Sequence, residues 1–243
     1  MQPKTITVIA SQDVGYRCLS WLLQEKYPVT QVFLGTVGDL EIKRLCEQHK
    51  IACAVFTDEG LLHSNDCTWL LSLWNPNLIS SSGLAKAQFR LNLHPALVPY
   101  CRGNDTAAWA ILTGVPTGVS LLEMDSGVDT GDIWAQRSLE LTVTTKGSDL
   151  LARMKAELIE LFQADWPRIF SGTIIPKPQT ERLPAYTRRQ TNENRVRKIE
   201  DFQGAEELLV WLRAHDFAPR STAELEIEGA RYSVTLAFGR VSD

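Results

Sequence analysis

The sequence lacks any apolar run of the roughly 18 residues that a membrane-spanning helix needs, so no transmembrane segment is expected. Met1 to Ala10 reads as a strand rather than as the charged, apolar and small-residue succession of a signal peptide. No Cys-x-x-Cys pair occurs among the five cysteines, Cys18, Cys46, Cys53, Cys67 and Cys101. Their odd number and scattered spacing fit reduced thiols in a cytoplasmic protein. Positive charge is also short. The formal net charge is −4, against the positive footprint that a general nucleic-acid binder needs, although a local basic pocket stays compatible with it. Internal repeats and low-complexity tracts are absent. So is the G-x-G-x-x-G turn of a dinucleotide site, because Ala10-Ser11-Gln12-Asp13-Val14-Gly15 holds a single glycine.

What remains is an ordinary globular composition, 44% hydrophobic and 22% charged over 243 residues. A chain of that size can bury a substantial core. Short β-branched or apolar runs alternate with amphipathic stretches. Thr5–Ala10, Val29–Leu34 and Ile51–Phe56 read as strands, the last of them buried, and Val14–Gln24 and Leu40–His49 read as helices. Ser11, Gln12 and Asp13 offer capping side chains to the first helix. Further strands are expected at Trp69–Trp74, Phe89–Leu93, Gly118–Met124 and Ile133–Leu141, with helices at Asp105–Thr113 and Ser148–Phe170. Such alternation predicts a mostly parallel sheet with helices on both faces.

Composition changes after Gly172, where Pro176, Pro178 and Pro184 mark a linker. Two regions are therefore predicted, residues 1–178 and a small α+β appendage at 179–243. The appendage begins with Glu181–Lys198, which has six basic and two acidic side chains. It continues with a helix at Ala205–His215 and with strands Thr222–Glu228 and Arg231–Phe238 flanking Gly229-Ala230 as a hairpin. A two-stranded unit is marginal alone, so it must pack on the rest of the chain or on a second copy.

Three clusters carry possible chemistry. His49 with Cys53, and His63 with Cys67, have a spacing that would suit zinc. The apolar run around Cys53 argues against it, and no metal is expected. Leu91-Asn92-Leu93-His94-Pro95 puts an amide and an imidazole on one side of a strand end. The amide N–H can stabilise an oxyanion and the imidazole can move protons near neutral pH. Asp125-Ser126-Gly127-Val128-Asp129-Thr130-Gly131-Asp132 is an Asp- and Gly-rich loop that could bind a metal, cap a helix or orient a catalytic histidine. Taken singly, each cluster also fits a plain structural role.

Taken together, Asn92-x-His94-Pro95, Val98-Pro99-Tyr100-Cys101-Arg102-Gly103 and Met124 to Asp132 resemble the formyltransferases that use 10-formyltetrahydrofolate. The resemblance covers roughly Val8 to Pro178 and implies a Rossmann-like catalytic domain. It implies Asn92, His94 and Asp129 as the catalytic set, and a pterin pocket at Asn77, Leu78 and Ile79 closed by Gly127 and Val128. Cys101 departs from the bulky residue expected in that loop.

Three members of the family differ in acceptor. Methionyl-tRNA formyltransferase carries a sizeable C-terminal barrel, against which 179–243 is short. The glycine-rich phosphate loop of glycinamide ribonucleotide formyltransferase is missing here. Sugar N-formyltransferases are more similar, in the aromatic helix holding Trp109, in Arg188-Arg189-Gln190-Thr191 and in a short β-rich tail. This resemblance implies a nucleotide-diphosphate 4-amino-4,6-dideoxysugar acceptor, made for surface polysaccharide such as O-antigen. Tyr100, Arg102, Gly103, Trp109 and Arg188 are implied to bind it, with the basic run supplying charge for the diphosphate. A homodimer is implied, and neither nucleic acid nor membrane is expected as a partner. Formylation of a carrier-bound amino acid or of methionyl-tRNA is the alternative. A non-catalytic binding module is disfavoured, because all three catalytic residue types are intact.

Overall fold

The computed structural model describes residues 4–241. The chain begins β1 (Ile6–Ala10), α1 (Gln12–Gln24), β2 (Val29–Leu34), α2 (Leu40–His49), β3 (Ala52–Val55), α3 (Asp58–Leu62) and β4 (Cys67–Leu73). It continues α4 (Ser81–Leu84), β5 (Ala87–His94), β6 (Arg102–Gly103), α5 (Thr106–Thr113), β7 (Thr117–Leu122), β8 (Ile133–Leu139) and α6 (Gly147–Ser171). The remainder is β9 (Ala185–Tyr186), α7 (Arg188–Asn194), β10 (Val196–Lys198), a 3-10 turn at Ile199–Asp201, α8 (Ala205–His215), β11 (Ala223–Ile227) and β12 (Ala230–Val234).

Two compact units result. The first comprises residues up to His94, Val119–Arg137 and Lys155–Thr180, and the second Pro95–Gly118, Ser138–Met154 and the residues from Glu181 onward. The division expected along the chain at Pro178 is thus replaced by units that interleave. Within the stretch expected as a linker and marked by Pro176, Pro178 and Pro184, Lys177 is tied into the first unit by a bridge to Ile133.

The main sheet has seven strands in the order β3-β2-β1-β4-β5-β7-β8. β1 to β5 pair in parallel, and β7 joins β5 antiparallel. β1 is buried at every residue, as a central strand covered on both faces must be. β3 corrects the expectation of a buried strand. It lies at the edge of the sheet, and Ala52, Ala54 and Val55 are exposed. In the first unit an aromatic cluster packs against the sheet, with Trp69 stacked on Phe89 and meeting Trp134 and Trp166, and Trp166 stacked on Phe162.

The turn after β1 serves packing. A Cβ on Gly15 would lie 2.7 Å from the Leu73 carbonyl oxygen, so this glycine lets α1 approach β4 closely. Ser11 does not cap α1 as expected. Its Oγ donates to Asp39, whose carboxylate also accepts from the Gln12 N–H and from the Thr36 N–H and hydroxyl. Burial pushes the Asp39 carboxyl up, but these hydrogen bonds outweigh it and hold the group below its ordinary range. An internal anion therefore uses the first free N–H of α1, which in a dinucleotide fold would face phosphate.

In the second unit α5 packs on α8, and Trp211, Leu212, Ala223 and Leu225 form a core. β10, β11 and β12 make a three-stranded sheet. The hairpin turn is Glu228-Gly229, both at positive φ (50° and 79°), one residue earlier than expected. Two left-handed residues give the tight turn whose twist suits a hairpin, so Ala230 belongs to the strand.

Candidate active site

β4 and β5 run parallel with Ser72 beside Asn92 in register, so the two side chains emerge together on one face. Ser72 Oγ donates to Asn92 Oδ1 at 2.8 Å. His94 follows two residues on and points the same way. Asp129 comes from the loop between β7 and β8. Its Oδ1 lies 3.4 Å from Asn92 Nδ2 and 3.5 Å from His94 Nδ1. One carboxylate oxygen thus faces two donors at distances that a bound reactant can tighten. The structure brings Asn92, His94 and Asp129 together, from residues 37 positions apart in sequence.

His94 is 4% exposed, and its Nε2 is buried with no hydrogen-bond partner among the described residues. A buried polar atom left unpaired costs about 1–3 kcal/mol. With Nδ1 turned to a carboxylate, Nε2 is the atom left to meet a reactant.

The loop owes its shape to its own residue types. Asp125 Oδ1 accepts from the Gly127 N–H (2.9 Å) and the Thr130 hydroxyl (2.6 Å). The Glu123 N–H donates to the Asp132 carbonyl at 2.7 Å, closing the base. Gly131 is required there, since a Cβ would lie 2.0 Å from the Glu123 carbonyl oxygen. Asp129 sits at φ 51°, which is strained for a non-glycine residue. Gln179 clamps this strained segment, its Nε2 donating to the carbonyls of Asp129 (2.9 Å) and Gly131 (2.8 Å). Sequence reasoning passed over both Ser72 and Gln179. The one available signal was a lone hydroxyl inside the apolar run Trp69–Trp74.

Of the residues expected to hold a pterin, Asn77 bonds the Gly35 carbonyl (2.8 Å) and its N–H bonds Asn75 (3.0 Å). Leu78 is 84% exposed and Val128 44%. Ile79 packs against Ile9, Phe33, Leu61 and Leu70. Gly127 is exposed at the tip of the Asp loop.

The residues expected at the acceptor gather in the second unit. Arg102 and Gly103 form the β6–β9 ladder, and the Arg102 guanidinium bonds the Leu183 carbonyl. A Cβ on Gly103, at φ 90°, would meet the Tyr186 carbonyl at 2.2 Å. Trp109 stacks on Tyr186 with ring centroids 4.0 Å apart, and its N–H bonds Thr191. Arg188 lies 2.8 Å from Asp105 without hydrogen-bond alignment. Burial pushes the Asp105 carboxyl up, against the pull of Arg188. Tyr100 is half-buried.

The basic run is largely ion-paired. Besides Arg188, Arg189 pairs with Glu193, Arg195 with Glu224, Arg197 with Glu207 and Lys198 with Glu226. These partners neutralise most of the charge expected to meet a diphosphate. All five cysteines are free thiols. Burial pushes Cys46 up to about 12 and Cys101 up to about 11, which makes both poor nucleophiles. Among the described residues, no group of three or more His, Cys, Asp or Glu could hold a metal, and no helix is long and apolar enough to cross a membrane.

Residues 77–164 match the formyl transferase family, a segment that includes Asn92, His94 and Asp129. The methionyl-tRNA formyltransferase of Halorhodospira halophila is 35% identical over 141 residues, 56% of this chain and 43% of that protein. The chain spans less than half the length of the curated relatives it matches. A 4-N formyltransferase from Francisella tularensis has a similar structure, with a TM-score of 0.84 at 18% identity over 98% of this chain and 99% of that one. An N-formyltransferase from Helicobacter canadensis, solved with folinic acid and dTDP-3-aminofucose, gives 0.75 at 20% identity over 94% and 86%. At such identities the likeness is one of fold.

Proposed function

We propose that this chain, whose residues 77–164 match the formyl transferase family, moves the formyl group of 10-formyltetrahydrofolate onto the amine of a nucleotide-linked amino-dideoxysugar. The observation that carries the reading is the convergence of Asn92 Nδ2 and His94 Nδ1 on Asp129 Oδ1, with His94 Nε2 buried and without a partner among the described residues. Such donors fit a carbonyl oxygen that gains charge. 10-Formyltetrahydrofolate supplies the activated formyl carbon and a nitrogen leaving group.

Asn92 Nδ2 and His94 Nε2 donate to the formyl oxygen as the acceptor amine attacks and negative charge develops there. Asp129 stabilises the imidazolium form of His94 through Nδ1 and helps pass the proton of the attacking amine to the folate nitrogen, which leaves with it as its bond to the formyl carbon breaks. Exposed Leu78 and Val128 are apolar surface for a pterin, with Asn77, Ile79 and Gly127 shaping the backbone around them. On the acceptor side, Tyr100 and Arg188 have side chains left to reach a ligand. Arg102, Gly103 and Trp109 support Tyr186 and the short ladder beside it.

A sugar acceptor is supported by the fold likeness to the Francisella protein, which runs through the residues after Pro178. A 4-amino-4,6-dideoxysugar for surface polysaccharide, a homodimer and a cytoplasmic setting belong to the same proposal. The methionyl-tRNA match favours a second reading, tRNA formylation.

One panel separates them. The protein is mixed with 10-formyltetrahydrofolate and with dTDP-, UDP- and GDP-linked 4-amino sugars or methionyl-tRNA, and products are weighed by mass spectrometry. A formyl gain on a sugar, lost in His94→Ala, is expected. A gain on methionyl-tRNA alone would replace the sugar reading.

A further inference from the structure

We propose that Ser72 is a positioning residue for formyl transfer, its hydroxyl fixing the Asn92 amide so that the N–H end rather than the oxygen faces the reacting group. The proposal rests on the reading of Asn92 as an oxyanion donor.

Ser72 is 3% exposed and is flanked by the apolar residues Leu70, Leu71, Leu73 and Trp74. A buried hydroxyl is costly unless it is hydrogen-bonded, and its partner here is Asn92 Oδ1 at 2.8 Å. An asparagine amide is ambivalent. Its two ends are nearly the same size, and a hydroxyl can donate to the oxygen or accept from the nitrogen. Ser72 alone would therefore accept either orientation.

Asp129 removes that ambiguity. A carboxylate takes only donors, and its Oδ1 lies 3.4 Å from Asn92 Nδ2. Nitrogen must face Asp129, the amide oxygen must face Ser72, and the hydroxyl must donate. One Nδ2 hydrogen goes to the carboxylate and the other remains for the formyl oxygen. The same bond keeps the amide oxygen, an acceptor, away from the atom that becomes negative.

Without the hydroxyl, Asn92 Oδ1 loses its partner and the amide gains freedom to rotate. Binding of either reactant should change little, because Ser72 acts through Asn92 and not on a ligand. The register of β4 against β5 is what creates the pair.

The test is a double-mutant cycle of parent, Ser72→Ala, Asn92→Ala and the double variant, with 10-formyltetrahydrofolate and dTDP-4-amino-4,6-dideoxyglucose. Ser72→Ala is expected to lower kcat about tenfold, the scale of one hydrogen bond, with both KM values within about twofold. Asn92→Ala is expected to lose at least about a hundredfold. The double variant should be within about twofold of Asn92→Ala, since nothing remains for Ser72 to orient. A further tenfold loss in the double variant overturns the proposal. Full activity of Asn92→Ala would instead overturn the reading of Asn92. A readout independent of turnover is the Asn92 side-chain amide in a 15N–1H spectrum, identified by its loss in Asn92→Ala. In Ser72→Ala it should shift and exchange faster with solvent. An unchanged signal overturns the proposal whatever the acceptor.

Discussion

His94 in the first unit and His215 in the second are buried to nearly the same degree, 4% and 2% exposed, and each leaves Nε2 without a hydrogen-bond partner among the described residues. Their neighbours differ. His94 faces the Asp129 carboxylate at 3.5 Å. His215 packs against the Trp211 ring, with centroids 5.6 Å apart, and burial together with the Arg195 guanidinium pushes it down to about 4. A carboxylate favours an imidazolium, whereas apolar burial and a guanidinium oppose one. Burial alone therefore does not set the two histidines apart; the charged group beside each does.

The sharpest way to break this contrast is substitution of both histidines. His94→Ala should lower kcat for formyl transfer by about 10²–10³ or more, the cost of one oxyanion donor, without unfolding the protein. Turnover within tenfold of the parent would remove His94 from its role. His215→Gln should leave kcat near the parent value.

His215 should appear instead in acid stability. Its folded pKa lies below the ordinary 6.5, so above that pH it is neutral whether the chain is folded or not. As pH falls from about 6.5 to about 4 the unfolded chain takes up a proton that the folded protein refuses, and stability drops by roughly 3 kcal/mol. Urea unfolding at pH 7 and pH 4.5 should show a smaller acid loss in His215→Gln than in the parent. Equal losses would mean that His215 is not what titrates.

Smaller effects test how each unit holds its polar groups. Gln179→Ala should leave Asp129 at its strained φ without a clamp and lower kcat about tenfold, with a melting temperature close to the parent's. An unchanged kcat would mean that the loop's other bonds fix it without Gln179. Arg188→Ala removes a partly exposed pair and should cost no more than about 1 kcal/mol by urea unfolding.

Local signals made much of this legible in the sequence. The alternating runs located β2, α2 and α8 to the residue, because periodicity and capping are properties of neighbouring residues. Asn92 and His94 stood out as polar side chains at a strand end, and Asp129 through its loop. β3 was misread as buried because strand order, which leaves it at an edge, is not a local property. α7 was missed because it is polar on every face and begins at a Thr187–Gln190 capping box rather than at an apolar stripe.

The sequence by itself determined the alternation of strands and helices, the breaks between them and the residue types able to donate to a developing oxyanion. Tertiary structure decided which of those groups have unspent bonding capacity. Pairing β4 with β5 placed a hydroxyl against an amide, and the loop after β7 brought a carboxylate to an amide and an imidazole. It also spent most of the basic run on carboxylates. Hydrogen bonds and ion pairs act over a few ångströms, and only the folded chain brings residues distant in sequence that close.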